Sequence, residues 1–407
     1  MNSNALAHLY ARRAREVKAS AIREICKLIA RPEIRSLAGG WPDPATFPVD
    51  AIREICTELL DERPDLVLQY GTSEGLPELR SALVDWLGRR DGIECSEDQL
   101  VVTSGSAQGM ELAAKILIDE GDVVFVGLPT YFGGSGAAQT FGAELVGVPV
   151  DDHGIDPDRL EDALEATLAA GKRAKLIYVI PDFQNPTGTC LPLERRQRLI
   201  ALANHHDLAI VEDSPYRDLC FSGEPPPPLK ALDTEDRVIY LRSFSKIFCP
   251  GFRLAATVGP AEAVRRMVIA RQFEDCCSNV FGQYVLSRFM QRDLLDRQIE
   301  KNRNHYKGKC DELLGAMSRH FPSSVRWNRP EGGFFVFVHL PGGLDGEDLL
   351  REAVERNVAY VAGAPFFVDG GGKNTLRLSF AQSDPETIEE AIAVLGRLIA
   401  ERTGESA

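Results

Sequence analysis

Residues 176–213 read LIYVIPDFQNPTGTCLPLERRQRLIALANHHDLAIVED. A short apolar run, Leu176–Ile180, is followed by a loop, a helical stretch over 192–206 and a second apolar run, Ala209–Glu212. Strand, helix and strand in that order is the unit of a parallel sheet covered on both faces.

The same alternation extends in both directions. Further strands are expected at Leu100–Thr103, Val123–Val126, Glu144–Val148, Val238–Ser243 and Ala255–Gly259. Helices fit at 107–120, 132–141, 156–170 and 260–275, and amphipathic helices at 49–60 and 76–90. The pattern changes near residue 285. One long helical stretch covers 282–320, then strands at Gly333–His339 and Thr375–Phe380 and helices at 346–356 and 384–402. The expected fold class is α/β: a large domain with a mostly parallel seven-stranded sheet, plus a smaller α+β domain. The division expected is 1–45 (a helix over 1–30 and an active-site loop, part of the small domain), 46–290 (large domain) and 291–407 (small domain). In such sheets ligands bind beyond the carboxyl ends of the strands.

Composition agrees. The 407 residues exceed one ordinary core at roughly 100–200 residues per domain. With 44% apolar and 26% charged residues the chain is globular. Its net charge of −14 argues against a nucleic-acid surface. The nine cysteines include no C-x-x-C pair, which argues against a zinc ribbon or a thioredoxin-like motif; their odd number in a large chain argues against a disulfide scaffold, and no metal site is expected. No 18-residue apolar run and no signal core are present, so a cytoplasmic protein without a membrane span is expected.

Several polar residues fall where strands end: Ser106 after Leu100–Thr103, Asn185 after Leu176–Ile180, Asp213 after Ala209–Glu212, and Lys246 after Val238–Ser243. A helix N-terminus suits a phosphate, an acid can pair with a pyridinium nitrogen, and a lysine amine can hold an aldehyde as a Schiff base. Each has an ordinary reading too, as cap, turn or solvated residue.

The order of these residues resembles the class I/II aminotransferases of the fold type I pyridoxal phosphate (PLP) enzymes. The resemblance runs from about residue 15 to residue 400. It rests on Tyr70-Gly71 with Gly75-Leu76-Pro77-Glu78-Leu79-Arg80, Ser104-Gly105-Ser106-Ala107-Gln108, Pro129-Thr130-Tyr131 and Asn185-Pro186-Thr187-Gly188. It continues through Glu212-Asp213-Ser214-Pro215-Tyr216, Ser243-Phe244-Ser245-Lys246, Pro250-Gly251-Phe252-Arg253 and Leu376-Arg377-Leu378-Ser379-Phe380. Ala19–Glu24 and the Leu37-Ala38-Gly39-Gly40 segment are similar to the 2-aminoadipate and kynurenine aminotransferase branch.

The resemblance implies roles. Lys246 would hold the cofactor aldehyde and then shuttle the substrate proton. Asp213 would pair with the ring nitrogen; Asn185 and Tyr216 would hold the ring oxygen O3′; Tyr131 would stack on the ring. Ser106, the N–H of Ala107, Gln108, Ser243, Ser245 and Arg253 would hold the phosphate, with Tyr70 reaching the phosphate of the other subunit of a homodimer. Arg377, Asn185 and the N–H of Gly40 would hold the substrate α-carboxylate. Arg23 either meets a distal carboxylate or is a solvated helix residue.

Three departures stand out. Trp41 replaces a smaller residue and either lines the pocket or only packs. Ala107 offers only its backbone. Cys276-Cys277 stand where Ser or Thr usually crosses to the partner, which puts that contact in doubt. The expected activity is ping-pong transamination from 2-aminoadipate, an aromatic or a large aliphatic amino acid to 2-oxoglutarate. The alternative on the same fold is a PLP-dependent lyase, decarboxylase or oxidative deaminase. A regulator with a basic helix-turn-helix domain ahead of this fold is not expected, because only about 35 residues precede Gly39-Gly40 and the charge is acidic.

Overall fold

The computed structural model describes residues 6–16 and 33–405. Most of the helix expected over 1–30, and Arg23 with it, lies outside the described residues; Arg12–Glu16 is helical. The strands in chain order are β1 (Arg35–Ser36), β2 (Leu100–Thr103), β3 (Val123–Leu128), β4 (Glu144–Asp151), β5 (Gly154–Ile155), β6 (Ala174–Val179), β7 (Ala209–Ser214), β8 (Val238–Ser243) and β9 (Ala255–Val258). Then come β10 (Arg326–Trp327), β11 (Phe335–His339), β12 (Val358–Ala359), β13 (Val361–Ala362) and β14 (Thr375–Ser379).

The large sheet has the order β2-β9-β8-β7-β6-β3-β4-β5. Its seven long strands are those expected; the eighth, β5, is a two-residue return on β4. Strands β4, β3, β6, β7 and β8 are parallel, and β9 runs antiparallel between β8 and β2. Alternate residues enter two separate cores. Val124, Val126 and Tyr178 pack on one face, and Val123, Phe125 and Ile177 on the other. Burial on both faces is why these strands read as continuous apolar runs.

The parallel register sets Asp213 of β7 beside Leu241 of β8. The loops after β6, β7 and β8 therefore leave the same edge carrying Asn185, Tyr216 and Lys246.

The smaller sheet is antiparallel, in the order β10-β11-β14-β13. β1 pairs with β12, and Ser379 N–H donates to the Leu37 carbonyl at 2.7 Å. This brings the Ala38–Trp41 loop to the strand carrying Arg377. The loop is also fastened to helix Leu294–His320. Asp43 accepts from Lys309 Nζ and His305 Nε2, each at 2.9 Å, and Asp43 N–H donates to Tyr306 Oη at 2.9 Å.

The stretch expected as one helix over 282–320 is two, Val280–Gln291 and Leu294–His320. They are separated at Asp293, which takes φ +55, the left-handed conformation that ends a helix. The helix expected to reach 275 ends at Arg271, whose buried side chain bonds Ser73 O, Ser278 Oγ and Asp275. No described helix is long and apolar enough to cross a membrane.

Candidate active site

Lys246 Nζ donates to the Gly40 carbonyl at 3.0 Å and lies 5.7 Å from the Phe334 ring. Burial, with Arg253 and Arg377 nearby, pushes the Lys246 amine down to about 8, against the pull of Asp213. Asn302 of helix Leu294–His320 donates to the Lys246 carbonyl at 3.3 Å. The same helix thus holds both the lysine and the loop facing it.

Asp213 is buried at the end of β7. Its Oδ2 accepts from Tyr178 Oη at 3.1 Å, while Oδ1 is buried with no hydrogen bond among the described residues. Burial raises its carboxyl to about 6, opposed by Tyr178, the nearby Ser106 hydroxyl and Lys246. A buried carboxylate oxygen without a donor is costly unless a ligand supplies one. A protonated ring nitrogen is such a donor. Tyr178, which the sequence reading missed, aims this carboxylate. It needs Gly134 beneath it, because a Cβ there would lie 2.2 Å from the Tyr178 hydroxyl.

Ser104–Ala107 and Arg253 form a cationic cradle. Ser106 opens helix Ser106–Leu117 after Gly105, at φ +82. Arg253, at φ +52, donates to Ser245 Oγ at 3.3 Å and to the Ser104 carbonyl at 3.4 Å. The φ of Gly105 favours glycine, and a Cβ there would lie 2.4 Å from Arg253 Nη2, so a larger residue would displace the guanidinium. Ser243 Oγ accepts from Ser245 N–H at 3.3 Å. Helix N–H groups, hydroxyls and a guanidinium suit a phosphate. The side chain of Gln108, expected among the phosphate ligands, is engaged elsewhere. It accepts from Ser104 N–H at 2.8 Å and donates to Asp275 at 2.9 Å.

Arg377, 2% exposed, closes the opposite side. It donates to Asn185 Oδ1 at 2.8 Å and to the Ala38 carbonyl at 2.7 Å. Its guanidinium lies 4.2 Å from the centre of the Phe335 ring and 5.2 Å from that of Phe366. Tyr216 is buried edge-on against Phe334 and Phe335 and within hydrogen-bonding reach of Asn185. Burial holds its phenol protonated, well above the ordinary range. Gly40 fits under Phe335, where a Cβ would come to 2.8 Å.

The remaining residues lie around this centre. Tyr131 precedes helix Phe132–Thr140 and packs on Phe132, with ring centres 5.4 Å apart. Trp41 is 47% exposed, beside Gly39. Tyr70 is 84% exposed and Cys276 is exposed at φ +62. Phe335 and Phe366 also went unread in the sequence, because aromatic walls carry no motif, and Ala38, part of a quoted motif, was not read as an acceptor for Arg377.

A lysine amine, a buried carboxylate oxygen without a hydrogen bond, a helix N-terminus beside an arginine, and a second buried arginine lie together at the edge of a parallel sheet, an arrangement that suits an enzyme of the PLP-dependent transferase class. The family model "Aminotransferase class I and II" matches residues 43–395. The chain is 42% identical to an aromatic-amino-acid aminotransferase of Thermococcus litoralis, over 96% of this chain and 94% of that protein. It is 39% identical to a 2-aminoadipate transaminase of Thermus thermophilus, over 95% of each. A kynurenine aminotransferase structure from Pyrococcus horikoshii, in complex with PMP, superposes with TM-score 0.94 at 41% identity, covering 98% of both chains. The chain belongs to the class I and II aminotransferases.

Proposed function

We propose that this aminotransferase, with pyridoxal phosphate as its cofactor, transfers the α-amino group of an aromatic amino acid, 2-aminoadipate or a large aliphatic amino acid to 2-oxoglutarate. The observation that carries the reading is the juxtaposition of Lys246 with the half-satisfied carboxylate of Asp213. PLP, when bound, supplies an aldehyde for the amino group and a protonated ring that takes up the electron pair left on Cα. Asp213 keeps the ring nitrogen protonated, and Asn185 and Tyr216 hold O3′. Tyr131 covers the ring. Ser106, Ala107 N–H, Ser243, Ser245 and Arg253 hold the phosphate.

Arg377 and the Gly40 N–H orient the α-carboxylate, which places the Cα hydrogen before Lys246. An amine with its pKa near 8 is a competent proton carrier at neutral pH. The protein acts as a cytoplasmic homodimer in which Tyr70 serves the phosphate site of the other copy. Residues 46–290 form the cofactor domain, and 1–45 with 291–407 form the second. Arg23 meets the distal carboxylate of dicarboxylic substrates.

The relatives named above are all aminotransferases, which disfavours a lyase, decarboxylase or oxidative deaminase. The test is anaerobic incubation with donor alone. Stoichiometric conversion to the amine form of the cofactor, reversed by 2-oxoglutarate, is expected, and release of ammonia or carbon dioxide instead would refute transamination. Lys246→Ala should abolish turnover. Arg23→Ala should impair 2-aminoadipate and 2-oxoglutarate far more than phenylalanine or leucine.

A further inference from the structure

Behind the site lies a buried ionic network that the chemistry above does not use. Asp182, fully buried, accepts from Arg196 Nη2 at 2.5 Å and from Arg217 Nη1 at 3.2 Å. Arg217 Nε donates to Asp91 at 3.0 Å, and Arg242 pairs with Asp91 at 3.2 Å and with Asp218. Arg90, from the edge of the network, also donates to Asp218 at 3.0 Å, so every buried aspartate here meets two arginines. Burial alone would raise the Asp182 carboxyl, but Arg196 and Arg217 outweigh it and hold the group ionised.

The proline run 225–228 closes the network. Pro226 O accepts from Arg217 Nη1 at 2.7 Å, and Pro227 O from Arg196 Nη1 at 3.1 Å. Prolines supply carbonyl acceptors but no N–H to compete for the carboxylates.

The placement of these residues in the chain is informative. Asp182 precedes Asn185 by three residues, and Arg217 directly follows Tyr216. The ion pair therefore joins the two loops that present Asn185 and Tyr216, one leaving β6 and the other β7. Arg217 also spans to Asp91 at the end of helix Pro77–Asp91, so its loop is fixed in two directions. A guanidinium fork shared by two buried carboxylates tolerates little displacement, unlike an exposed pair.

We propose that Asp182 and Arg217 are positioning residues for the reaction. Their buried ion pair sets the separation of Asn185 and Tyr216, and with it the hydrogen bonds these side chains give to the cofactor ring oxygen. The proposal rests on the assignment of Asn185 and Tyr216 to that oxygen.

The test uses the holoenzyme and Arg217→Lys, which keeps the charge but loses the fork. Asp182→Asn serves as the second variant, and Tyr216→Phe as the reference. Each is measured for PLP Kd, kcat, KM and the pH at which the bound cofactor's absorbance titrates. With donors withdrawn from the ring oxygen, more negative charge stays beside the titrating nitrogen. The midpoint should therefore rise by about one pH unit in Arg217→Lys and Asp182→Asn. kcat should fall roughly 10²-fold, the effect of a misplacement of about 1 Å, with KM and PLP Kd nearly unchanged. Adding Tyr216→Phe to Arg217→Lys should move the midpoint by clearly less than the sum of the two separate shifts, since both act in part through the Tyr216 hydroxyl.

An unshifted midpoint in variants that have lost only thermal stability would overturn the proposal, as would full additivity with Tyr216→Phe. If Arg217→Lys fails to fold, Asp182→Asn decides by the same readouts. A wild-type protein that takes up no PLP, or an unshifted Tyr216→Phe, would instead refute the site assignment on which the proposal stands.

Discussion

Asn185 Oδ1 accepts a hydrogen bond from Arg377 Nη1 at 2.8 Å, across 192 residues of sequence. The contact joins the loop after β6 of the large sheet to β14 of the small one. Asn185 thereby links the proposed carboxylate clamp to the proposed O3′ contact, since its amide is also within reach of Tyr216. In the proposed roles, substrate orientation and ring orientation are coupled through one side chain.

Arg377→Lys should expose that coupling. A lysine ammonium cannot bond Asn185, Ala38 O and a carboxylate in the fork geometry that Arg377 provides. kcat/KM should fall roughly 10²–10³-fold for amino and oxo acids alike, the loss of one or two hydrogen bonds to charged groups. Steady-state kinetics with both substrate classes checks this. PLP content should stay unchanged, because the phosphate cradle lies on other elements.

The depressed pKa of Lys246 sets a pH profile. Below about 8 the amine is protonated and cannot attack an aldehyde. The rate of PLP capture by apoprotein should rise about tenfold per pH unit up to a midpoint near 8 and then level off. An ordinary lysine would keep rising to about 10.5. Arg377→Met removes a neighbouring cation, so the protonated form is less disfavoured and the midpoint should move upward. Stopped-flow absorbance over a pH series measures both.

Gly105→Ala should damage cofactor binding more than chemistry. The new methyl would collide with the Arg253 guanidinium at a backbone angle of φ +82. Strain of about 1–3 kcal/mol that must be borne when the cradle closes on the cofactor corresponds to PLP Kd rising roughly 5- to 150-fold. kcat at saturating PLP should fall much less. Equilibrium titration of apoprotein with PLP is the measurement.

Asp43→Ala should loosen the Gly40 loop from helix Leu294–His320. It removes the acceptor of His305 and Lys309 and leaves Lys309, bonded also to Ser383 O, with an uncompensated charge in a buried setting. Thermal unfolding should show a loss of about 2–4 kcal/mol. KM should rise roughly tenfold for amino and oxo acids together, through misplacement of the Gly40 N–H. An unchanged KM would show that the loop is held by its other contacts.

Much of this protein was determined by the sequence alone. The inner strands β3, β6, β7 and β8 of the large sheet are short runs bounded by loops, and burial on both faces writes an apolar pattern into their consecutive residues, while β4 is partly exposed. Lys246, Asp213, Asn185 and Ser106 follow strand ends or open a helix, so local chemistry and order point to them together, and Arg253 follows from the resemblance. Tertiary structure decided what has no local signature. Tyr178 bonds one oxygen of Asp213 while the other is buried without a hydrogen bond; Asp275 and Ser104 engage Gln108; Asp182 and Arg217 join two loops. These outcomes depend on side-chain direction and on burial, which strengthens a charge pair and penalises an unpaired group. Both arise only when distant segments pack, and no run of neighbouring residues encodes them.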